Sequence, residues 1–433
     1  MTRLMLIRYL ALALPIAAVA AAARLAPGSA GTTSGARRRE LGAALLALVA
    51  AAVGISGLDV LGQHLGWHAW AALDGTFRGM PVDLWLGWAL LWGPLPVLVR
   101  RWLPVPVALT GLLWLDLVTM PVLHPVLRLG PDWWLGELIG LAAVALPAIL
   151  LGRWVADGDH LVARTALQLV TFAGLTLWLL PAVAIAAGDG SWTHLVGAPR
   201  WQLSLLMQVA ALVSVPGVLA VREFVERGGG TPYPWDPPRR LVTTGPYAYL
   251  ANPMQLSGVL LLLVVAGATR SWAVAATALA AAAFGGFVAG PHEHQQLTAQ
   301  YGAAWLAYRT RVRLWWPRWR PYRRGGAELY LARECQLCES TRVWLASHNP
   351  TDLVVRPAPG QLRRARYRHA GYVVDGVAAV ARAMEHANLW WAYAGWLLRL
   401  PLLDRFVRLF ADGLGAGPRT VTAPGRGREH APR

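Results

Sequence analysis

RRLVTTGPYAYLANPMQLSGVLLLLVVAGATRSWAVAATALAAAAFGGFVAGPHEHQQLTAQY, residues 239–301, is the stretch on which the reading of this chain turns. It holds two apolar runs, 253–268 and 271–290, joined at GATRSW (267–272). A bilayer span needs about 20 mostly apolar residues, so short runs with a tight turn between them read as a helical hairpin. A Pro/Gly-rich loop, RGGGTPYPWDPP (227–238), precedes it, and PHEHQQLTAQYGAAWLAYRTRVRLWWP (291–317) follows. One hairpin separates these polar segments, so both are expected on the same membrane face and in contact. The triple glycine at 228–230 opens no strand-turn-helix unit, so it is read as a flexible loop and not as a dinucleotide site.

Working outward, seven further apolar runs precede the hairpin: 9–26, 41–62, 81–99, 103–123, 134–152, 162–187 and 200–221. The 433 residues are 56% hydrophobic and only 15% charged, against about 25% charged in a soluble domain. An ordinary soluble enzyme and a disordered chain are both excluded. The formal net charge is +17, and every one of the 40 basic residues is arginine. A basic excess can serve nucleic acid, but here the arginines stand between apolar runs, as cytoplasmic loops require. No nucleic-acid partner is expected. Arg37, Arg38, Arg39, Arg100, Arg101, Arg153, Arg164, Arg222, Arg227, Arg239 and Arg240 mark one set of loops. That set is read as cytoplasmic, which puts the N-terminus outside and the C-terminal segment inside. The first span, after Arg3 and Arg8, is read as a retained anchor in preference to a signal peptide. Seven arginines among Trp315, Trp316 and Trp319 (309–324) read as a surface for anionic lipid.

Acidic residues in or near the spans are functional candidates by default. Asp59 and Asp83 stand near span ends, where a structural hydrogen bond is the simpler reading. Asp116, in LLWLDLVTM, is deepest, and Glu137 is a fourth. Trp67, Trp70, Trp102, Trp133 and Trp134 lie near span ends and read as an interfacial belt. His292 and His294 flank Glu293, but neighbouring helical side chains point apart, and no metal site is expected.

The two polar segments around the hairpin resemble the isoprenylcysteine carboxyl methyltransferase and phospholipid methyltransferase superfamily, over about residues 200–322. Leu241, Val242, Gly245, Pro246, Tyr247, Tyr249, Pro253, Met254 and Gly258 match the first half of its pattern. Glu293, Leu297, Gly302, Tyr308, Val312 and Pro317 match the second, with Tyr301 in place of Phe. Departures are Ala251-Asn252 for Arg-His, Gln255 for Tyr, His294 for a second Glu, and Ala289 where prenylcysteine enzymes carry an arginine. The resemblance implies S-adenosylmethionine as methyl donor. A carboxylate such as Glu293 suits its ammonium group. Arg239 or Arg240, with the backbone through Leu241 and Val242, suit its carboxylate. Tyr247 and the turn Asn252-Pro253-Met254-Gln255 would wall the adenosine and the sulfonium, a cation that aromatic faces favour.

From about residue 325 the composition changes. AELYLARECQLCESTRVWLASHN reads as strand, turn and helix, TDLVVRP and GYVVDG as further strands, and VAAVARAMEH as a helix. Cys335 and Cys338, the only cysteines, form a CxxC at a helix start, where a thiolate is favoured. This part is similar to the DCC family of thiol-disulfide oxidoreductase-like proteins, over about 325–413. Ala332-Arg333 replace that family's Asp-Gly before the first cysteine.

The expectation is a mainly α-helical polytopic protein of the cell membrane, with about nine spans and a small C-terminal α/β thioredoxin-like domain. Its divisions are 1–160, a bundle of unassigned role; 161–322, a methyltransferase core; 325–413, the thioredoxin-like domain, cytoplasmic; and 414–433, a disordered basic tail. The expected function is S-adenosylmethionine-dependent methylation of a lipophilic or membrane-proximal acceptor: an isoprenoid carboxylate, a lipid amine or a thiol. Cys335 and Cys338 are the expected redox residues, with a thiol partner. The alternative is a membrane-anchored thiol-disulfide oxidoreductase on a degenerate methyltransferase core.

Overall fold

Inside a bilayer every backbone N–H and C=O must be paired within the chain, and the apolar runs meet that demand as helices. The computed structural model describes residues 3–25, 34–236, 238–322, 325–332, 336–358 and 364–413. Among the described residues, seven helices are long and apolar enough to cross a membrane: Arg3–Leu25, Gly35–His64, Val105–Leu123, Trp133–Asp157, Leu161–Ala187, Arg200–Gly228 and Trp272–Ala289. The other two of the nine expected spans are helical but shorter, Val82–Leu98 and Pro253–Thr269. The first of these breaks at Gly93, where a Cβ would lie 2.5 Å from the Ala47 carbonyl oxygen. Pro94 then restarts the helix, having no N–H to leave unpaired.

The chain divides into two compact units. The first comprises Met1–Leu206, Gly229–Arg239 and Leu261–Leu279. Its core is built on Ser34–His64, whose Ala51 and Ile55 pack with Trp85, Trp92, Leu112, Val144 and Ile149. Small residues on this helix let its neighbours approach closely, as expected where packing rather than hydrophobic expulsion holds helices together. Polar ties complete the unit. Arg8 meets Asp83 at 2.6 Å, and Asp236 is held by Arg39 at 3.1 Å and Arg164 at 2.9 Å. Asp189 accepts from the backbone N–H of Trp272 and Ala273 at the start of their helix. These donors, at the positive end of a helix, hold its carboxyl below the usual range.

Two of the supposed belt tryptophans face inward. Trp67 is 8% exposed, and Trp70 ends the strand His68–Trp70, which pairs antiparallel with Leu127–Leu129. Trp102 and Trp134 are exposed, as a belt requires. Asp116 is buried between the indole N–H groups of Trp88 and Trp92.

The second unit comprises Met207–Gly228, Arg240–Leu260 and Ala280–Arg433. Its C-terminal sheet runs in the order Leu353–Pro357, Ala327–Leu331, Arg366–His369, Tyr372–Asp375. The first two strands are parallel and the other pairings antiparallel. A parallel pair needs a crossover, supplied by helix Gln336–Ser347. Ala327, Leu329 and Leu331 alternate inward and pack with Leu345, Tyr367, Ala379 and Ala383.

Helix Leu389–Leu398 sends Ala392 and Trp396 against Val215, Leu219, Ala248 and Tyr249. Pro216, inside helix Arg200–Glu223, has no N–H to offer the Leu212 carbonyl; the Tyr393 hydroxyl donates to that oxygen instead. A buried ionic network joins the same elements. Arg382 and Arg399 lie 2.5 and 3.1 Å from Glu223 Oε1, and Arg399 lies 2.8 Å from Glu385. All four side chains are at most 1% exposed. Thr244 adds a 2.7 Å bond to Glu223.

Candidate functional site

The two polar segments flanking the hairpin do meet. The Tyr308 hydroxyl donates to the Tyr247 carbonyl at 2.9 Å. The backbone N–H groups of Ala251, Arg318 and Tyr322 donate to the carbonyls of Arg313, Tyr249 and Ala248 at 2.9, 3.0 and 2.7 Å. A core of Ala251, Trp305, Tyr308, Val312 and Tyr322 seals this contact, with Leu241 against its edge.

Beside it lies a cavity of about 210 Å³, bordered by Asn252, Gly286, Gly290, Glu293, Trp305 and Arg309 among others. Its floor is the irregular turn Phe284–Ala289, a π-helical segment leading into Gly290–Tyr301. Such wide turns recur at functional sites because they re-aim the helix that follows. Glycines at 285, 286 and 290 keep this backbone bare: a Cβ on Gly285 would stand 2.7 Å from Gln255 Oε1. Gln255 is placed by Asn252, whose side-chain amide donates to Oε1 at 3.1 Å.

Burial pushes the Glu293 carboxyl above the usual glutamate range, and the Arg309 guanidinium pulls it part of the way back. Arg309 also lies over the Trp305 ring, 5.8 Å from its centre. The Trp305 indole N–H donates to His294 Nδ1 at 3.1 Å. An indole has no acceptor to offer, so His294 Nδ1 is the unprotonated nitrogen. The wall thus offers a carboxylate, a guanidinium, an amide and an aromatic face.

Of the expected cofactor residues, the structure brings Asn252 and Glu293 to this cavity. Pro253 and Gln255 do not border it, though Gln255 accepts a hydrogen bond from Asn252. Val242, Tyr247 and Met254 pack instead with Ala220 and Phe224. Tyr247 stacks on Phe224 with ring centres 5.0 Å apart, and its buried hydroxyl has no hydrogen-bond partner among the described residues. An aromatic side chain so enclosed serves packing first. Arg239 and Arg240 are exposed and do not border the cavity, and Arg239 falls within the first unit. The guanidinium that does border it, Arg309, was counted with the basic run at 309–324. No local signal singles it out; only the fold of 301–312 back onto 247–251 does. Cys338 stands in the first turn of Gln336–Ser347, half-buried against the sheet's apolar core. Cys335 lies outside the described residues, as does the tail from 414.

Residues 200–304 match the phospholipid methyltransferase family. No curated protein and no solved structure matches the chain. The match runs from the start of helix Arg200–Glu223, through the hairpin, past Glu293 to the turn before Trp305. Together with the apolar helices it fits an integral-membrane methyltransferase.

Proposed function

We propose that this chain transfers a methyl group from S-adenosylmethionine to a lipophilic or membrane-proximal acceptor: an isoprenoid carboxylate, a lipid amine or a thiol. The observation that carries the reading is that Glu293, inside the family match, and Arg309, five residues beyond its end, border one cavity, with the guanidinium near enough to act on the carboxyl. The donor's amino-acid end is a zwitterion, and a carboxylate beside a guanidinium is its complement. When bound, the donor supplies a methyl group on an electrophilic sulfonium.

The chain's own part is to bind and orient. Glu293 takes the ammonium end and Arg309 the carboxylate, in place of Arg239 or Arg240. Asn252 offers an amide at the mouth, and the Trp305 face favours the positive sulfonium. An acceptor that is already a carboxylate or thiolate needs no base from the protein, so holding the two reactants in line is the main requirement. The site opens on the membrane face read as cytoplasmic, where an acceptor dissolved in lipid arrives by lateral diffusion.

A second activity is supported by the C-terminal sheet. Its one parallel and two antiparallel pairings, with a helix after its first strand, are compatible with the thioredoxin-like reading, and Cys338 stands in the first turn of that helix. Cys335 and Cys338 are the proposed redox pair. A fused dithiol gives a thiol acceptor a rationale, and Cys335→Ser with Cys338→Ser tests it: unchanged methylation removes that link.

The reading as a whole is tested by calorimetric binding of S-adenosylmethionine to detergent-purified protein. Binding by the wild type and its loss in Glu293→Ala is the expected result. A well-folded wild type that binds nothing overturns the methyltransferase reading and leaves the dithiol unit as the active part.

A further inference from the structure

The first unit contains a cavity of about 80 Å³ that methyl transfer does not use. Trp67, Trp70, Trp88, Trp92 and Trp133 border it, and no arginine does among the described residues. Three of the indoles are anchored by carboxyl groups through their edges. Trp70 donates to Asp59 Oδ1 at 2.7 Å; Trp88 and Trp92 donate to Asp116 Oδ1 and Oδ2 at 3.0 and 3.1 Å. A negative acceptor at the N–H pushes electron density into the ring, and an electron-rich face attracts a cation more strongly.

The charge balance points the same way. Asp59 is saturated, taking Gln63 at 2.8 Å and lying 3.0 Å from His68 Nε2. Glu137, 4% exposed, borders the cavity and interacts with the Asp116 carboxyl. Its Oε1 finds no hydrogen-bond donor among the described residues. A buried carboxyl oxygen without a donor is costly, and a bound cation supplies the missing partner. Leu58, Met80 and Met120 complete the wall and suit alkyl groups better than water.

We propose that this cavity binds an organic ammonium cation, with the tryptophan faces as walls and Asp116–Glu137 as counter-charge. The cation is a free amine or the amine head group of a lipid. The site is independent of the methyl-transfer reading, and either can fail alone.

The test titrates full-length protein, in neutral detergent at fixed ionic strength, with tetramethylammonium, with choline and with 3,3-dimethylbutan-1-ol, choline's uncharged carbon analogue. Tryptophan fluorescence and calorimetry are the readouts. Saturable binding of both cations and none of the alcohol is expected. Glu137→Gln, which keeps shape and can still donate to Asp116, should weaken the cations by about tenfold or more. Trp133→Leu should weaken them while leaving the unfolding temperature close to wild type. A short-chain phosphatidylcholine that binds tighter than choline, when the matching phosphatidylglycerol does not bind, identifies a lipid source; equal or weaker binding identifies a free amine. A folded wild type with no saturable response, an equal response to the alcohol, or unchanged affinity in both variants overturns the proposal.

Discussion

Glu293 shows what one half-buried carboxyl does when its charged neighbours are few. Burial raises its proton affinity and Arg309 lowers it only in part. In the empty protein the raised value means that the protonated form is favoured by folding. Its stabilisation is present at low pH and is lost as pH rises through the folded-state value. Glu293→Gln should therefore gain stability relative to wild type as pH rises. Ligand binding runs the other way, because an ammonium partner needs the ionised form. Donor affinity should fall on acidification, starting above the pH at which an ordinary glutamate protonates, and should be flat across that window in Glu293→Gln. Arg309→Leu removes the only downward pull, so its acid loss should begin at a higher pH than in wild type. Calorimetric titration at a series of pH values checks all three profiles. That Glu293 is a candidate was legible from its place in a spaced motif; that Arg309 borders the same cavity was not, because hydropathy and spacing do not say where the chain beyond Gly302 folds back.

At the scale of elements, the hairpin was legible from hydropathy, and its two flanks meet as one helical hairpin between them requires. The close approach of its two legs was not. It depends on Gly285, where a Cβ would fall 2.7 Å from Gln255 Oε1, at a position where the resembled family carries a tyrosine. Gly285→Ala should push Gln255 away from Asn252 and cost about 1–3 kcal/mol. Adding Gln255→Ala should restore most of the loss, a coupling that a double-mutant cycle in thermal unfolding measures. Equal losses in the single and double variants would mean that the contact is not what binds the legs. The inward turn of Trp67 and Trp70 has a similar origin. Position near a span end fits a belt, but the pairing of His68–Trp70 with Leu127–Leu129 and the hydrogen bond to Asp59 aim them elsewhere.

At the scale of the molecule, a composition break near residue 325 reads as the start of an appendage. In the second unit, the chain beyond that break supplies Arg382, Glu385 and Arg399 to a network around Glu223. Glu223 belongs to the helix with which the family match begins. Removing one member leaves buried charges uncompensated, at a cost of about 3–5 kcal/mol. Arg382→Met should lower the unfolding temperature of the full chain sharply and weaken S-adenosylmethionine binding with it. If stability and binding both survive, the C-terminal segment is a separable passenger.

The sequence by itself determined the membrane class, the apolar runs that form seven long and two shorter helices among the described residues, the hairpin and the residues flanking it. Hydropathy and motif spacing are local properties, and a bilayer leaves a long apolar run little choice but to be helical. Only the tertiary structure decided which charges meet, Glu223 with Arg382 and Arg399, and which share a cavity, Glu293 with Arg309. A buried charge is tolerable only beside its partner, and these partners are brought together by packing across distances that no sequence period reaches.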